Sequence, residues 1–433
     1  MDLSPLLPNT SAEEVSPFSI VAVTSLQEQR HRTLKNGDCF AVFDPTGDAL
    51  SGPGSPEGFY VRDTRYLSAY LLTIEGKRPL LLSSTLRDDN ATLTCDLTNP
   101  DLYDSSGTLI LEHDLIHIRR SRYLWNDACF ERLTVRCFDT EPRRVRLRLA
   151  YGADFADLFE VRGTVREKRG SIHAPQIWDG GTTLSYTGLD GLLRTTTLSF
   201  DPTPANCDPK AVAYNLVLEP GQPQSIFISI QSGSASAQPA PSARRRFVVG
   251  ARDARRRSRA ASSEAAWIST SNTLFDEAIQ RARSDLYMLV TETEHGPYPY
   301  AGIPWFSTVF GRDALITALQ TLWLDPSIAR GVLGYLAANQ ATKIDAAADA
   351  EPGKILHEVR HGEMAVLGEV PFRRYYGSID STPLFIMLAG AYLARTDDVA
   401  TLQRLRPNIE AALRWMDEYG DRDGDGFIEY GRQ

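Results

Sequence analysis

The sequence predicts a multidomain β + α chain, a β-sandwich followed by a helical region, and three observations predict it. Short runs in the first half alternate apolar and polar residues with period two, the mark of half-buried strands. Near residue 232 the composition turns small, proline-bearing and basic. From Asn272 onward, apolar residues recur three and four apart, the spacing of one helix face. Residues 17–231 are therefore assigned to a sandwich, 232–271 to a linker with a basic segment, and 272–433 to helices.

The strands come first. "VRLRLAY" (145–151) and "FERLTVRCF" (130–138) alternate apolar and polar residues, and "FYVRDTRYLSAYLLTIEG" is a β-branched and aromatic run ending at a glycine. Many short strands separated by turn residues suggest a sandwich. The stretch 232–263 reads as a connector. Its arginines fit either an anionic partner or a solvated helix lying along the outside. Helices are then expected over 273–290, with Phe275, Ile279, Ala282, Leu286 and Leu289 on one face, and over 312–324, 327–340, 381–396 and 402–420. Pro407 is expected to mark a boundary in the last. Between these helices lie long loops, which in a helical domain usually carry function.

Composition narrows the function. The chain has 433 residues, 42% hydrophobic and 23% charged, with a net charge of −9. An ordinary globular composition with that charge disfavours nucleic acid and polyanionic substrates. The longest apolar stretch, 384–394, is too short to span a bilayer, and the acidic N-terminus has no basic leader. Five scattered cysteines, none in a CxxC pair, fit buried reduced thiols and a cytoplasmic protein.

Three loops hold the groups that chemistry needs. In "AGIPWFSTVFGRDALITALQT" (301–321), Trp305 and Phe306 offer apolar faces for a pyranose ring. Arg312 and Asp313 offer donors and acceptors for neighbouring hydroxyls. The plain alternative places the aromatics in the core and Asp313 in the first helical turn for electrostatic reasons.

The second loop, 353–385, holds His357, Glu358, Arg360, His361, Glu363, Tyr375, Tyr376 and Asp380. His357-Glu358-Val-Arg-His361 matches the letters HExxH. A zinc site would need both histidines on one long helix and a third ligand. The flanking "EPG" and "HGEM" favour a loop. Carboxylates there fit glycoside hydrolysis, which uses two of them across the scissile bond. Asp380 or Ser381 also fits a helix cap.

The third loop, "DRDGDGFIEY" (421–430), resembles a calcium loop, with acids at positions one, three and five. Position twelve is Arg432 rather than glutamate. A partial structural calcium site on Asp421, Asp423, Asp425 and Glu429 stays open beside an ordinary Asp-Gly turn. No other cofactor is expected.

"GIPWFSTVFGRDALITALQT", "GKILHEVRHGEMA" and "RYYGSIDSTPLF" resemble bacterial amylo-α-1,6-glucosidase, or glycogen-debranching-like, proteins. "YGADFADLFEVRG" and "NGDCFAVFDPTGD" resemble the N-terminal β-domain of that family. The resemblance implies a β-sandwich followed by an (α/α)6 barrel of the glucoamylase-like, six-hairpin kind, and inverting hydrolysis of α-glucosidic bonds. It implies that Arg312, Asp313 and Trp305 hold the terminal glucose. His357, Glu358, Glu363, Tyr375, Tyr376 and Asp380 would line the cleft, with Phe306 beside them.

Twelve barrel helices at about 11–12 residues each need more chain than follows Asn272. The reading is therefore of an incomplete barrel, with the main acid and base beyond Gln433. That missing segment would be the natural partner, and apolar helix faces would be left exposed. Within this sequence Asp380 and Glu358 are the candidate catalytic carboxylates. The rival readings are a glycoside phosphorylase and a non-catalytic carbohydrate-binding protein.

Overall fold

The computed structural model describes residues 31–52, 54–87, 89–104, 106–233, 242–261 and 265–429. Residues 17–30 of the expected sandwich, 234–241 and 262–264 of the expected linker, and Arg432 lie outside them.

Alternation builds the first half. In the strand Arg143–Gly152, Val145, Leu147, Leu149 and Tyr151 turn inward, while Arg144 and Arg146 face out. It sits between Ala69–Ile74 and Ala211–Leu218 in a five-stranded antiparallel sheet. A second, nine-stranded antiparallel sheet is centred on Ala128–Cys137, Ile116–Trp125 and Gln224–Gly233. One core joins the two. Leu72, Leu147 and Leu216 from the smaller sheet pack in one cluster with Ile118, Leu133 and Ile228 from the larger. Face-to-face sheets on a shared core are the sandwich arrangement, and each such leucine stabilises the fold by roughly 1.5–3 kcal/mol.

Alternation misreads one place. Glu131, at an apolar-looking strand position, is fully buried, and its Oε1 accepts from Arg120 Nε (2.8 Å) and Arg122 Nη2 (2.7 Å). Tyr70 donates to its other oxygen. Arg120 and Arg122 point into the sandwich because that carboxylate is there to receive them.

A third sheet of four strands, Arg32–Asn36, Cys39–Phe43, Gly58–Val61 and Thr64–Leu67, carries the hairpin turn Arg62–Asp63. Both turn residues have positive φ, 45° and 66°.

The linker is more ordered than a connector. Ala243–Ala261 is a 19-residue helix lying along the outside of the larger sheet, as the solvated-helix reading allowed. Among its arginines, Phe247 and Ala251 stand four apart and face the sheet. Phe247 meets Tyr123 and Phe227 edge-on, at 5.1 and 5.5 Å between centroids.

Five long helices follow among the described residues: Thr273–Leu289, Gly311–Thr321, Pro326–Ala338, Ser381–Thr396 and Val399–Trp415. Leu315, Ile328, Leu333, Leu336, Phe385, Leu388 and Ala412 make their common core. Pro407 lies inside the last helix and does not end it. Leu405, Ala412 and Trp415 are buried, and Asn408 Nδ2 donates to Ala337 O (3.0 Å), so packing outweighs the lost backbone bond. The expected apolar face of Thr273–Leu289 is only partly covered. Leu286 touches the core, while Leu274 and Phe275 are exposed. No helix among the described residues is long and apolar enough to cross a membrane. All five cysteines are free thiols, four of them buried.

Candidate active site

Residues 353–362 form the centre of the site, and they are not helical. They run as an extended strap between two other loops. Glu358 bridges Phe310 on one side and Tyr375 on the other. His357 N donates to Tyr375 O (2.8 Å), and Gly311 N donates to His357 O (2.8 Å). Gly311 is required there, because a Cβ would come 1.9 Å from Leu356 O. The extended backbone removes the zinc reading, since His357 and His361 do not share a helix face.

At the outer edge of the strap, three charged side chains meet. Arg312 Nη1 lies 3.4 Å from Asp380 Oδ2, and Arg312 Nε lies 4.0 Å from Asp313 Oδ2. All three are partly open to solvent. Asp380 precedes the helix Ser381–Thr396 but makes no side-chain capping bond. Its Oδ1 accepts instead from Ser378 Oγ, and its Oδ2 turns toward Arg312.

An aromatic row leads to this edge. Phe306, Phe310, His357 and Tyr375 meet edge to face, with centroids 5.8, 5.9 and 6.2 Å apart. Phe372 and Phe159 continue the row into the sandwich region. Phe306 is 46% exposed and provides an open ring face. His357 is half-buried, and its Nδ1 is buried without a hydrogen-bond partner among the described residues. Burial lowers its pKa below the ordinary histidine value. Glu358, Asp313 and Asp380 pull the other way and Arg312 adds to the lowering, so the ring is neutral at neutral pH.

Several expected cleft residues stand elsewhere. Trp305 packs against Phe40, Tyr60 and Leu158 of the sandwich region, with Arg162 over its ring at 5.8 Å. It is therefore not the open shelf; Phe306 is. Glu363 is 3% exposed, and its carboxylate accepts from Tyr186 OH (2.9 Å), Leu189 N (2.8 Å) and Arg166 Nη2 (3.2 Å). It ties the helical part to the sandwich rather than lining a cleft. Tyr376 is buried with its hydroxyl on Asn339 O (2.8 Å). Glu358 is also buried, and its Oε1 accepts from Arg360 Nε (2.7 Å). Asp421, Asp423 and Glu429 come together, with carboxylate oxygens within 4.8 Å of one another, whereas Asp425 is not among them. Asp425 Oδ1 accepts from Phe427 N (2.8 Å), and the other three accept from backbone N–H groups of the same turn.

Two residues that carry the site give little signal in the sequence. Asp63 accepts from Arg360 Nη1 and from His361 N, both at 2.9 Å. Asp157 accepts from Met364 N (3.0 Å). Both come from the sandwich region, some 200 residues or more before the strap. Arg360 also donates to Trp305 O (2.8 Å), so one guanidinium fixes two loops.

A hollow of 1080 Å³ lies against the strap and is lined by Val359, Arg360, His361 and Tyr376, without Arg312 or Asp380.

Comparisons with known proteins place this architecture. Residues 34–229 match the family described as the N-terminal domain of (some) glycogen debranching enzymes, so this β-rich part is a domain of that family. The expected debranching-type resemblance holds over that segment. No curated protein matches the sequence. Two solved structures share the fold across both parts. One is named "Putative kojibiose phosphorylase from human microbiome", 9% identical with a TM-score of 0.54, over 88% of this chain and 56% of that one. The other is a bacterial glucoamylase complexed with acarbose, 11% identical with a TM-score of 0.50, over 90% of this chain and 62% of that one. At such identity the likeness is one of fold. The chain spans less than two thirds of the length of either.

Proposed function

We propose that this chain is part of an α-glucan-acting glycosidase of the debranching type, inverting in mechanism, with Arg312, Asp313 and Asp380 holding a terminal glucose. The observation that carries the reading is the charged trio at the edge of the strap together with the aromatic row that runs through His357 and Phe310 to the exposed Phe306. A sugar presents an apolar ring face and paired hydroxyls, and Phe306 with Arg312–Asp313 answers both. Asp380 is the carboxylate best placed to move a proton. It is partly solvated, uncommitted to a helix cap and within reach of Arg312. Glu358, held inside by Arg360, is left to shape the strap. The β-domain's family and the fold shared with a glucoamylase support the same reading. The helices are read as one section of an (α/α)6 barrel.

Glycogen, maltotriose and isomaltose are incubated with the protein and followed by NMR, with and without inorganic phosphate. Release of β-glucose without phosphate supports hydrolysis with inversion. Sugar phosphate appearing only with phosphate would support the phosphorylase reading, which the kojibiose phosphorylase fold favours. If none of the three sugars is bound or changed, the reading fails.

A further inference from the structure

A second cavity, of 590 Å³, opens between the sandwich hairpin turns, the basic helix Ala243–Ala261 and the helix Thr273–Leu289. It lies apart from Arg312 and Asp380, and its volume is that of a small-molecule site at a domain boundary.

Its walls ask for a ligand of mixed character. Arg87, Arg255, Arg257, Arg259 and Arg283 all contribute to the lining, in a chain whose net charge is −9. Two of the acids that share the lining are already engaged. Asp38 accepts from Tyr300 OH (2.7 Å) and Arg62 Nε (3.1 Å), and Asp89 from Ala91 N (3.0 Å). The lining carries five arginines and Lys35 against Asp38, Asp89, Asp127 and Glu292, a surplus of positive charge suited to phosphate oxygens. Trp125 and Trp267 add indole faces, and Trp267 is 70% exposed with Arg283 over its ring at 5.4 Å.

A third feature separates this cavity from a plain basic patch. Asn90 lines it, is only 2% exposed and is held by a bond from its Nδ2 to Asp285 Oδ1 (2.5 Å). That bond fixes the amide, and leaves Asn90 Oδ1 buried with no donor among the described residues. A buried acceptor without a partner is costly, and a ligand hydroxyl would satisfy it.

We propose that this cavity binds a small sugar phosphate. The phosphate meets the arginine wall, the ring lies on the Trp267 indole, and a ring hydroxyl donates to Asn90 Oδ1. The test is calorimetric titration of the full chain with glucose 6-phosphate, and with glucose and inorganic phosphate separately. Glucose 6-phosphate binds, and each half-ligand binds at least tenfold more weakly. The double variant Arg255→Ala/Arg257→Ala and the single variant Trp267→Ala change exposed side chains, so melting curves should be unchanged while affinity falls tenfold or more. Asp380→Asn leaves this affinity as it was. The proposal is overturned if glucose 6-phosphate gives no binding, or if inorganic phosphate binds as tightly. It is also overturned if Asp380→Asn abolishes binding while the cavity variants do not, since the ligand then belongs to the charged edge.

Discussion

Arg360 of the helical part and Asp63 of the sandwich region form an ion pair at 2.9 Å in which both side chains are almost fully buried. The same guanidinium donates to Glu358 and to Trp305 O, and Asp63 also accepts from His361 N. The β-domain therefore sets the shape of the strap that carries His357 and Glu358. Asp63→Asn tests this cleanly, because asparagine tolerates the positive φ of the turn. Glu358 stays as the carboxylate partner of Arg360, so weakening the two buried bonds to Asp63 should cost about 1–3 kcal/mol in urea unfolding. A loss under about 1 kcal/mol would show the pair to be incidental.

Asp157 predicts a pH dependence. Burial pushes its pKa from 3.8 up to about 7, against the opposing hydrogen bonds from Phe159 N and Met364 N. A raised carboxyl binds its proton more tightly in the folded state. Its contribution is therefore complete below the ordinary value and is lost as pH climbs through about 7. Asp157→Asn removes that part of the slope between pH 4 and 7. Thermal melts of both proteins across this range check it, and parallel curves would contradict it.

Glu363 and Asp380 should separate stability from binding. Glu363→Gln weakens three buried hydrogen bonds and should lower stability by about 1–3 kcal/mol with little change in sugar affinity. Asp380→Asn should leave the melt nearly unchanged and weaken sugar binding tenfold or more. Denaturation and ligand-observed NMR on the two variants decide the matter, and the reverse pattern would exchange their roles.

Gly311→Ala tests the backbone crossing. The added methyl would meet Leu356 O at a forbidden distance, so the strap or the helix must move. A loss of about 1–3 kcal/mol is expected, together with weaker sugar binding. A neutral effect would mean the two segments separate easily.

Much of the fold was legible because burial repeats with a period. Val145, Leu147 and Leu149 announced a strand, and the helix containing Leu388 announced itself by its apolar run. The basic helix was less legible, since its sheet-facing side amounts to Phe247 and a few small residues among arginines. Pro407 misled because local propensity lost to packing around Leu405 and Ala412. The charged trio was legible as letters, and Arg312, Asp313 and Asp380 do meet. What could not be read was direction. Trp305, Glu363 and Tyr376 stood in the same loops, but partners from distant segments turned them inward. Asp63 sits in a hairpin turn and Asp157 caps a short helix, and their second partners lie some 200 residues or more further along the chain.

The central claim is that the edge formed by Arg312, Asp313 and Asp380 is a sugar site. Saturation-transfer NMR of maltotriose with the full chain, repeated for Arg312→Ala and Asp380→Asn, tests it most directly. The account predicts transfer to one terminal glucose ring in the unaltered protein and its loss in both variants, with folding intact. Transfer that survives both substitutions, or none with the unaltered protein, would contradict it.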